Sequence, residues 1–233
     1  MRTRVLTPRI AAFLLLLLCC NSTATAQQIN DGGAWFALLS QGDIKQAPND
    51  RLKWWFDGHL RFFEDTDGFG QSIVRPGIGY RMDNWTLWQG YAWIRTEPAS
   101  NDGIDEHRSW QQLTGSKEIG PYKFALRSRL EQRFVETGDD LGWRYRQFLR
   151  FQKKLSDRHL FVVWDELFFG LNDTDWGAEA GFDQNRVFVG FGMKSHRFTK
   201  LRTEIGYLYQ HVSVPRGADV NNHLISINLF RSP

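Results

Sequence analysis

Residues 122 to 134 read YKFALRSRLEQRF, and this stretch decides the fold. Its even positions are Tyr122, Phe124, Leu126, Ser128, Leu130, Gln132 and Phe134, against Lys123, Ala125, Arg127, Arg129, Glu131 and Arg133. Strand side chains alternate between faces, so the segment is a strand with one apolar and one charged face. A soluble barrel would bury apolar side chains inside. Several arginines on one face instead fit the inverted pattern of a membrane barrel, apolar outside and polar within.

The pattern recurs on both sides. Leu52, Trp54, Phe56, Gly58, Leu60 and Phe62 alternate with Arg51, Lys53, Trp55, Asp57, His59 and Arg61. Trp143, Tyr145, Gln147, Leu149 and Phe151 alternate with Arg144, Arg146, Phe148, Arg150 and Gln152, and Val187, Val189, Phe191 and Met193 with Arg186, Phe188, Gly190, Gly192 and Lys194. Leu201, Ile205, Tyr207 and Tyr209 oppose Lys200, Arg202, Glu204 and Gln210. Runs of 12 to 15 residues exceed the usual strand of about five or six. A tilted transmembrane strand needs about 9 to 11 residues in hydrocarbon and a few more at the interfaces.

Connections alternate in length, which gives a topology. Short links fall at Asp83 and Asn84, at Gly120 and Pro121, at Ser156 to Arg158 and at His196 to Thr199. Longer polar ones fall at Glu64 to Gly70, Glu97 to Asp105, Glu136 to Gly142, Gly170 to Gly181 and Ser213 to Val220. Outer-membrane barrels keep short turns periplasmic and long loops outside. The expected all-β antiparallel barrel has about ten strands (51–63, 71–82, 85–96, 106–116, 122–135, 143–155, 159–169, 184–194, 200–211 and 221–230), with twelve as the alternative. An even count leaves both chain ends periplasmic. Residues 27–50 then form a periplasmic segment, a plug or an extra strand, and 51–233 the barrel. Pro76 predicts a bulge inside its strand. The 106–116 strand has no apolar face, and adjacent Asp165 and Glu166 force one carboxylate onto the unfavourable side.

The N-terminus carries Arg2, Arg4 and Arg9, an apolar run from Ile10 to Leu18, and Ala24, Thr25 and Ala26. This is the pattern of a secretory signal peptide over residues 1–26, and the apolar run is too short for a membrane-spanning helix. Cys19 and Cys20 would leave with it; Leu18 and Cys19, bulky residues ahead of each, argue against lipidation. Removing three of 29 basic residues leaves 26, equal to the 26 acidic ones. A chain with no excess positive charge has no electrostatic basis for binding nucleic acid. The expected location is the outer membrane of a Gram-negative bacterium. The expected partners are outer-membrane lipid and the barrel-assembly machinery during insertion.

RLEQRF (129–134), WRYRQFLRFQ (143–152), WDELFF (164–169), GFDQNRVFVGFG (181–192), EIGYLYQ (204–210) and NNHLISINLF (221–230) resemble the bacterial family known as domain of unknown function 2490. The likeness runs from about residue 33 to the end. It implies an outer-membrane β-barrel and no assigned activity. The chain departs from many barrels in ending on Arg231, Ser232 and Pro233 after Phe230 instead of on an aromatic residue.

The candidate site is the inward charge network: Arg127, Arg129, Glu131 and Arg133 beside Arg144, Arg146 and Arg150, with Glu166, Arg186, Arg202 and Glu204 further round. One reading is a set of interlocking ion pairs filling a narrow barrel, since about eight strands leave little more than room for side chains. The other is a narrow, porin-like path for a small solute or anion, because Arg outnumbers Glu. Trp54, Trp85, Trp93, Trp143 and Tyr209 are candidates for an aromatic interface girdle. No two histidines share a metal-ligand spacing, and no metal or cofactor is expected. For the alternative of a lipid-modifying hydrolase, His211 with Ser213 and His223 with Ser226 are the short-range candidates. Trp176, with Asp173, Asp175 and Glu179, sits in a long loop that is either solvated or able to touch an external ligand. A soluble periplasmic barrel is the third functional class.

Overall fold

A computed structural model describes residues 28–45, 51–64, 68–98, 102–195, 200–215 and 217–231. Residues 1–27, which include the expected signal peptide, and the last two residues lie outside them. The described residues form β1 (Gln28–Asp43), β2 (Leu52–Phe63), β3 (Gly68–Met82), β4 (Trp85–Thr96), β5 (Ile104–Ile119), β6 (Tyr122–Val135), β7 (Gly142–Lys154), β8 (His159–Gly170), β9 (Gly181–Lys194), β10 (Leu201–Val212) and β11 (Asp219–Arg231). They close into one barrel of eleven strands. Successive strands are antiparallel, and β1 meets β11 in parallel from Gln28↔Asp219 to Ser40↔Arg231.

Eleven strands correct the expected ten, and the reason lies in β1. Its inward Trp35 and Ala37 are buried and its outward Phe36 and Leu38 are exposed, the alternation seen elsewhere. The segment is neither a periplasmic piece nor a plug: it supplies the strand that satisfies the edges of both β2 and β11. An odd count also corrects the expectation about chain ends. Gln28 lies at the rim of the long loops, beside Asp219, whereas Arg231 lies at the rim of the tight turns.

Two of those turns, Asp83–Asn84 and Gly120–Pro121, have positive φ at their first residue, 49° and 58°. Two-residue hairpins favour this geometry because it matches strand twist. The predicted bulge at Pro76 does not occur. Phe56 pairs Pro76 without a shift, and the β3–β4 ladder simply skips from Val74↔Trp93 to Gly77↔Gly90 in constant register, which absorbs the missing N–H. The irregularity in β3 lies instead opposite Arg61/Phe62.

Apolar side chains ring the outside, among them Leu60, Ile78, Leu87, Phe124, Phe191, Ile205 and Ile225. The inner face is mixed in a way that parity alone did not reveal. One wall buries Trp35, Leu160, Val162, Phe188, Leu208 and Leu224, and another buries Ile73, Trp88, Ala92, Ile94 and Trp110. Arginines and carboxylates fill the space between, so the filling is aromatic as well as ionic. The outer face carries a polar seam in which Gln89, Ser109, Gln111 and Gln132 hydrogen-bond across β4, β5 and β6 at 2.8 to 3.3 Å. That seam is why the 106–116 segment shows no apolar face. Of the adjacent carboxylates, Glu166 points inward and Asp165 outward, where Asn185 Nδ2 donates to it at 2.9 Å.

Candidate functional site: a plugged lumen and a basic vestibule

All eleven residues of the expected charge network face the lumen, and all but one join ion pairs. Glu131, fully buried, accepts from Arg144 Nη2 at 2.7 Å and Arg146 Nη1 at 2.6 Å, with Arg129 at 3.6 Å. Arg146 also donates to Glu166 at 2.7 Å, and so does Arg127. Arg133 reaches Glu106 at 2.5 Å. Glu204 pairs with Arg150 and, at 3.1 Å, with Arg202, forming a separate group nearer the tight turns. Arg186 has no ion pair among the described residues; it stacks on Phe168 at 4.5 Å and Trp35 at 5.0 Å.

The sequence reading missed several members. Arg108 donates two 2.7 Å bonds to the Glu106 carboxylate, and Asp57 is shared by Arg75 at 3.0 Å and His59 at 3.1 Å. Asp57, His59 and Arg61 lie on the charged parity of β2 and were legible there. Glu106 and Arg108 were hidden by the polar outer face of their own strand.

At mid-barrel, Trp110, Arg129, Glu131 and Phe168 are fully buried and pack as a plug in the lumen, with the Arg129 guanidinium 4.6 Å from the Trp110 ring centre and 3.6 Å from Glu131. Room for the Trp110 ring comes from glycine: a Cβ on Gly77 would lie 2.6 Å from it, and one on Gly90 would overlap it. Above this plug, the 171–180 loop clasps the 136–141 loop. The Asp175 carboxylate accepts the backbone N–H groups of Asp139 at 2.9 Å and Asp140 at 3.2 Å, and these bonds hold its carboxyl below the usual value. Trp176 donates to the Asp140 carbonyl at 2.8 Å and lies over Arg133, 4.8 Å from guanidinium carbon to ring centre. This acidic loop is therefore fastened to its neighbour at the long-loop rim.

Below the plug is a cavity of about 610 Å³, lined at the tight-turn rim by Asn84, Ser116, Lys123 and Arg231. Its inner end is lined by Trp35, Arg61, Arg75, Arg146, Glu166 and Arg186.

The five expected girdle aromatics all point outward. Trp54 and Trp85 lie toward the tight-turn rim, and Trp93, Trp143 and Tyr209 toward the long-loop rim. Among the described residues neither hydrolase pair is joined by a hydrogen bond. His223 faces outward against Tyr207 Oη at 2.6 Å while Ser226 is buried inside. His211 contacts Asn221 at 2.9 Å. Ser156 does meet His159, at 3.0 Å, but its Oγ caps a turn by accepting the N–H groups of Arg158 and His159. Among the described residues no three His, Cys, Asp or Glu side chains cluster as metal ligands.

The sequence model of the family described as "Protein of unknown function (DUF2490)" matches residues 32–221. The chain belongs to that family. An uncharacterized protein of Methylorubrum extorquens is 32% identical to this DUF2490 member over 227 residues, 95% of this chain and 96% of the relative. Among solved structures, the barrel is similar to LpxR from Salmonella typhimurium (TM-score 0.45, 7% identity, 78% of this chain and 83% of that one). It is also similar to the outer-membrane-expressed OmpT of Vibrio cholerae (TM-score 0.41, 15% identity, 69% of this chain). This chain spans 55% of the length of that OmpT. The likeness is one of barrel outline and assigns no activity.

Proposed function

We propose that this DUF2490 protein is an outer-membrane barrel that serves as a non-conducting structural component, its lumen sealed by the Arg and Glu network. The inversion of the barrel supports a membrane setting: Ile78, Phe191 and Ile225 are about 60% exposed on the outside while Glu131 and Glu204 are fully buried within. Water outside such a wall would leave large apolar surface uncovered all round, whereas hydrocarbon solvates it. The mid-barrel plug of Trp110, Arg129, Glu131 and Phe168 carries the structural reading over the pore reading. Interlocking charge-assisted bonds hold a barrel rigid without leaving a water path.

Two measurements test this. Fractionation should recover the protein in the detergent-soluble outer membrane; release by osmotic shock alone would favour the soluble periplasmic barrel. Folded protein in planar bilayers should be silent, and a steady anion-selective current would replace the structural reading with the narrow pore.

A further inference from the structure

The vestibule has an electrostatic imbalance that the plug does not. Arg61 and Arg186 reach its inner end from β2 and β9 and stack on the same ring, Trp35, at 4.0 and 5.0 Å. Each is more than nine-tenths buried, and each has a buried Nε without a hydrogen-bond partner. Among the described residues neither has a carboxylate within ion-pair distance; Arg61 finds only the neutral Gln71 Oε1, at 2.6 Å. Glu166 is opposite Arg186 in the β8–β9 ladder, yet its Oε1 takes Arg127 and Arg146, each at 2.7 Å. Asp57 is likewise taken by Arg75 and His59. Two buried guanidinium charges therefore converge on one aromatic ring with no carboxylate in direct contact with either, Glu166 across the ladder being engaged by other arginines. Burying charge without a partner is costly, and burying two of like sign costs more.

The surroundings say what would relieve it. The cavity is open at the tight-turn rim, so a solute can enter, and about 610 Å³ is far more than a halide needs. Trp35, Trp55, Phe148 and Trp164 give it flat apolar walls, and Lys53 and Lys194 lie on its way in. We infer that the vestibule is a binding site for an organic phosphate, its phosphoryl oxyanion held between Arg61 and Arg186 and its body stacked on the aromatic wall. A phosphate dianion brings two negative charges to one centre, which matches two unpaired guanidiniums, and its oxygens suit their planar forks. The site depends on the lumen's geometry and not on the membrane reading, so it stands or falls separately.

Thermal unfolding of the full-length protein in neutral detergent tests it, with phenyl phosphate and inorganic phosphate as probes and sodium chloride at matched ionic strength as the control. Phenyl phosphate should raise the unfolding temperature of the wild type more than chloride does. Arg186→Gln and Arg61→Gln should bind it at least about tenfold more weakly, the weight of one charge-assisted hydrogen bond. Both variants should unfold at or above the wild-type temperature when no phosphate is present, because each removes an unpaired buried charge. Arg158→Gln, in an exposed turn, should respond like the wild type. If short-chain phosphatidic acid in the micelle raises the temperature and phenyl phosphate does not, the oxyanion belongs to a lipid headgroup. Equal shifts in wild type and Arg186→Gln, or a shift that chloride reproduces, would overturn the site. Lower stability of both variants with no phosphate effect in any protein would also overturn it, by making the two arginines structural.

Discussion

Arg146 spans two carboxylates of neighbouring strands, donating to Glu131 at 2.6 Å and to Glu166 at 2.7 Å. Glu131 is the hub of the plug, since Arg144 binds it as well. Glu131→Gln removes the charge and keeps the volume, leaving the buried Arg144 and Arg146 short of a counter-charge. The expected loss is about 3 to 5 kcal/mol. A lowered urea midpoint for the vesicle-reconstituted variant, read by tryptophan fluorescence, would show it, and an unchanged midpoint would mean the plug is not held by ions.

The outer wall should tolerate charge worst near its middle. Ile225 lies at the centre of β11 and is 61% exposed, so in a bilayer Ile225→Arg should cost about 2 to 4 kcal/mol. Ala125 lines the vestibule on the inner face, and Ala125→Arg should cost clearly less. Equal costs in the same urea titration would show that the two faces share a solvent.

The parallel seam makes a topological claim that single cysteines can check. Gln28 stands at the rim of the 171–180 loop, and Asn84 at the rim of the tight turns. In intact cells a membrane-impermeant maleimide should therefore label Gln28→Cys together with Thr174→Cys, and spare Asn84→Cys. Labelling that groups residue 28 with residue 84 would restore an even-stranded barrel and displace β1 from the seam.

How far these features could be read beforehand follows from which residues lie on which parity. Arg127 to Arg133 and Arg144 to Arg150 alternate cleanly because both faces of β6 and β7 have one solvent each, so the network's place was legible. β1 was not, because Trp35, Phe36, Ala37 and Leu38 are apolar on both parities and a continuous apolar run carries no period. The inward aromatics Trp88 and Trp110 were hidden for a related reason. A membrane barrel's interior filling can be apolar wherever a facing glycine leaves a gap, as Gly77 and Gly90 do, and no strand's own alternation reports what the opposite wall leaves empty.

The 171–180 loop should resist acid until its clasp loses charge. The backbone N–H groups of Asp139 and Asp140 hold the Asp175 carboxyl below 3.8. A carboxyl lowered by folding contributes stability above its unfolded value, and that contribution is lost as pH falls through the folded one. The fluorescence difference between wild type and Trp176→Phe should stay constant from pH 7 to about 4 and change only below that. Asp175→Asn should already show the acid-type signal at pH 7, and a transition that persisted in this variant would assign it to another carboxylate.

Gly90 gives the most direct test of how tightly the middle of the barrel is filled. Its place in β4 puts it inward, opposite Gly77 in the β3 ladder, and the Trp110 ring occupies the volume that both leave open. Trp110 is fully buried and its ring also meets Trp55 at 6.4 Å and the Arg129 guanidinium at 4.6 Å. Gly90→Ala would therefore push the ring toward Arg129, which lies beside Glu131, and strain the plug on its apolar side. Overpacking of this kind costs about 1 to 3 kcal/mol. Pairing it with Trp110→Phe should recover part of the loss, because the smaller ring vacates the overlapped space. Gly90→Ala at wild-type stability would mean that the interior yields at this point, whereas losses that merely add in the double variant would put the clash on the Pro76 carbonyl, 2.6 Å from the new Cβ, and not on the Trp110 ring.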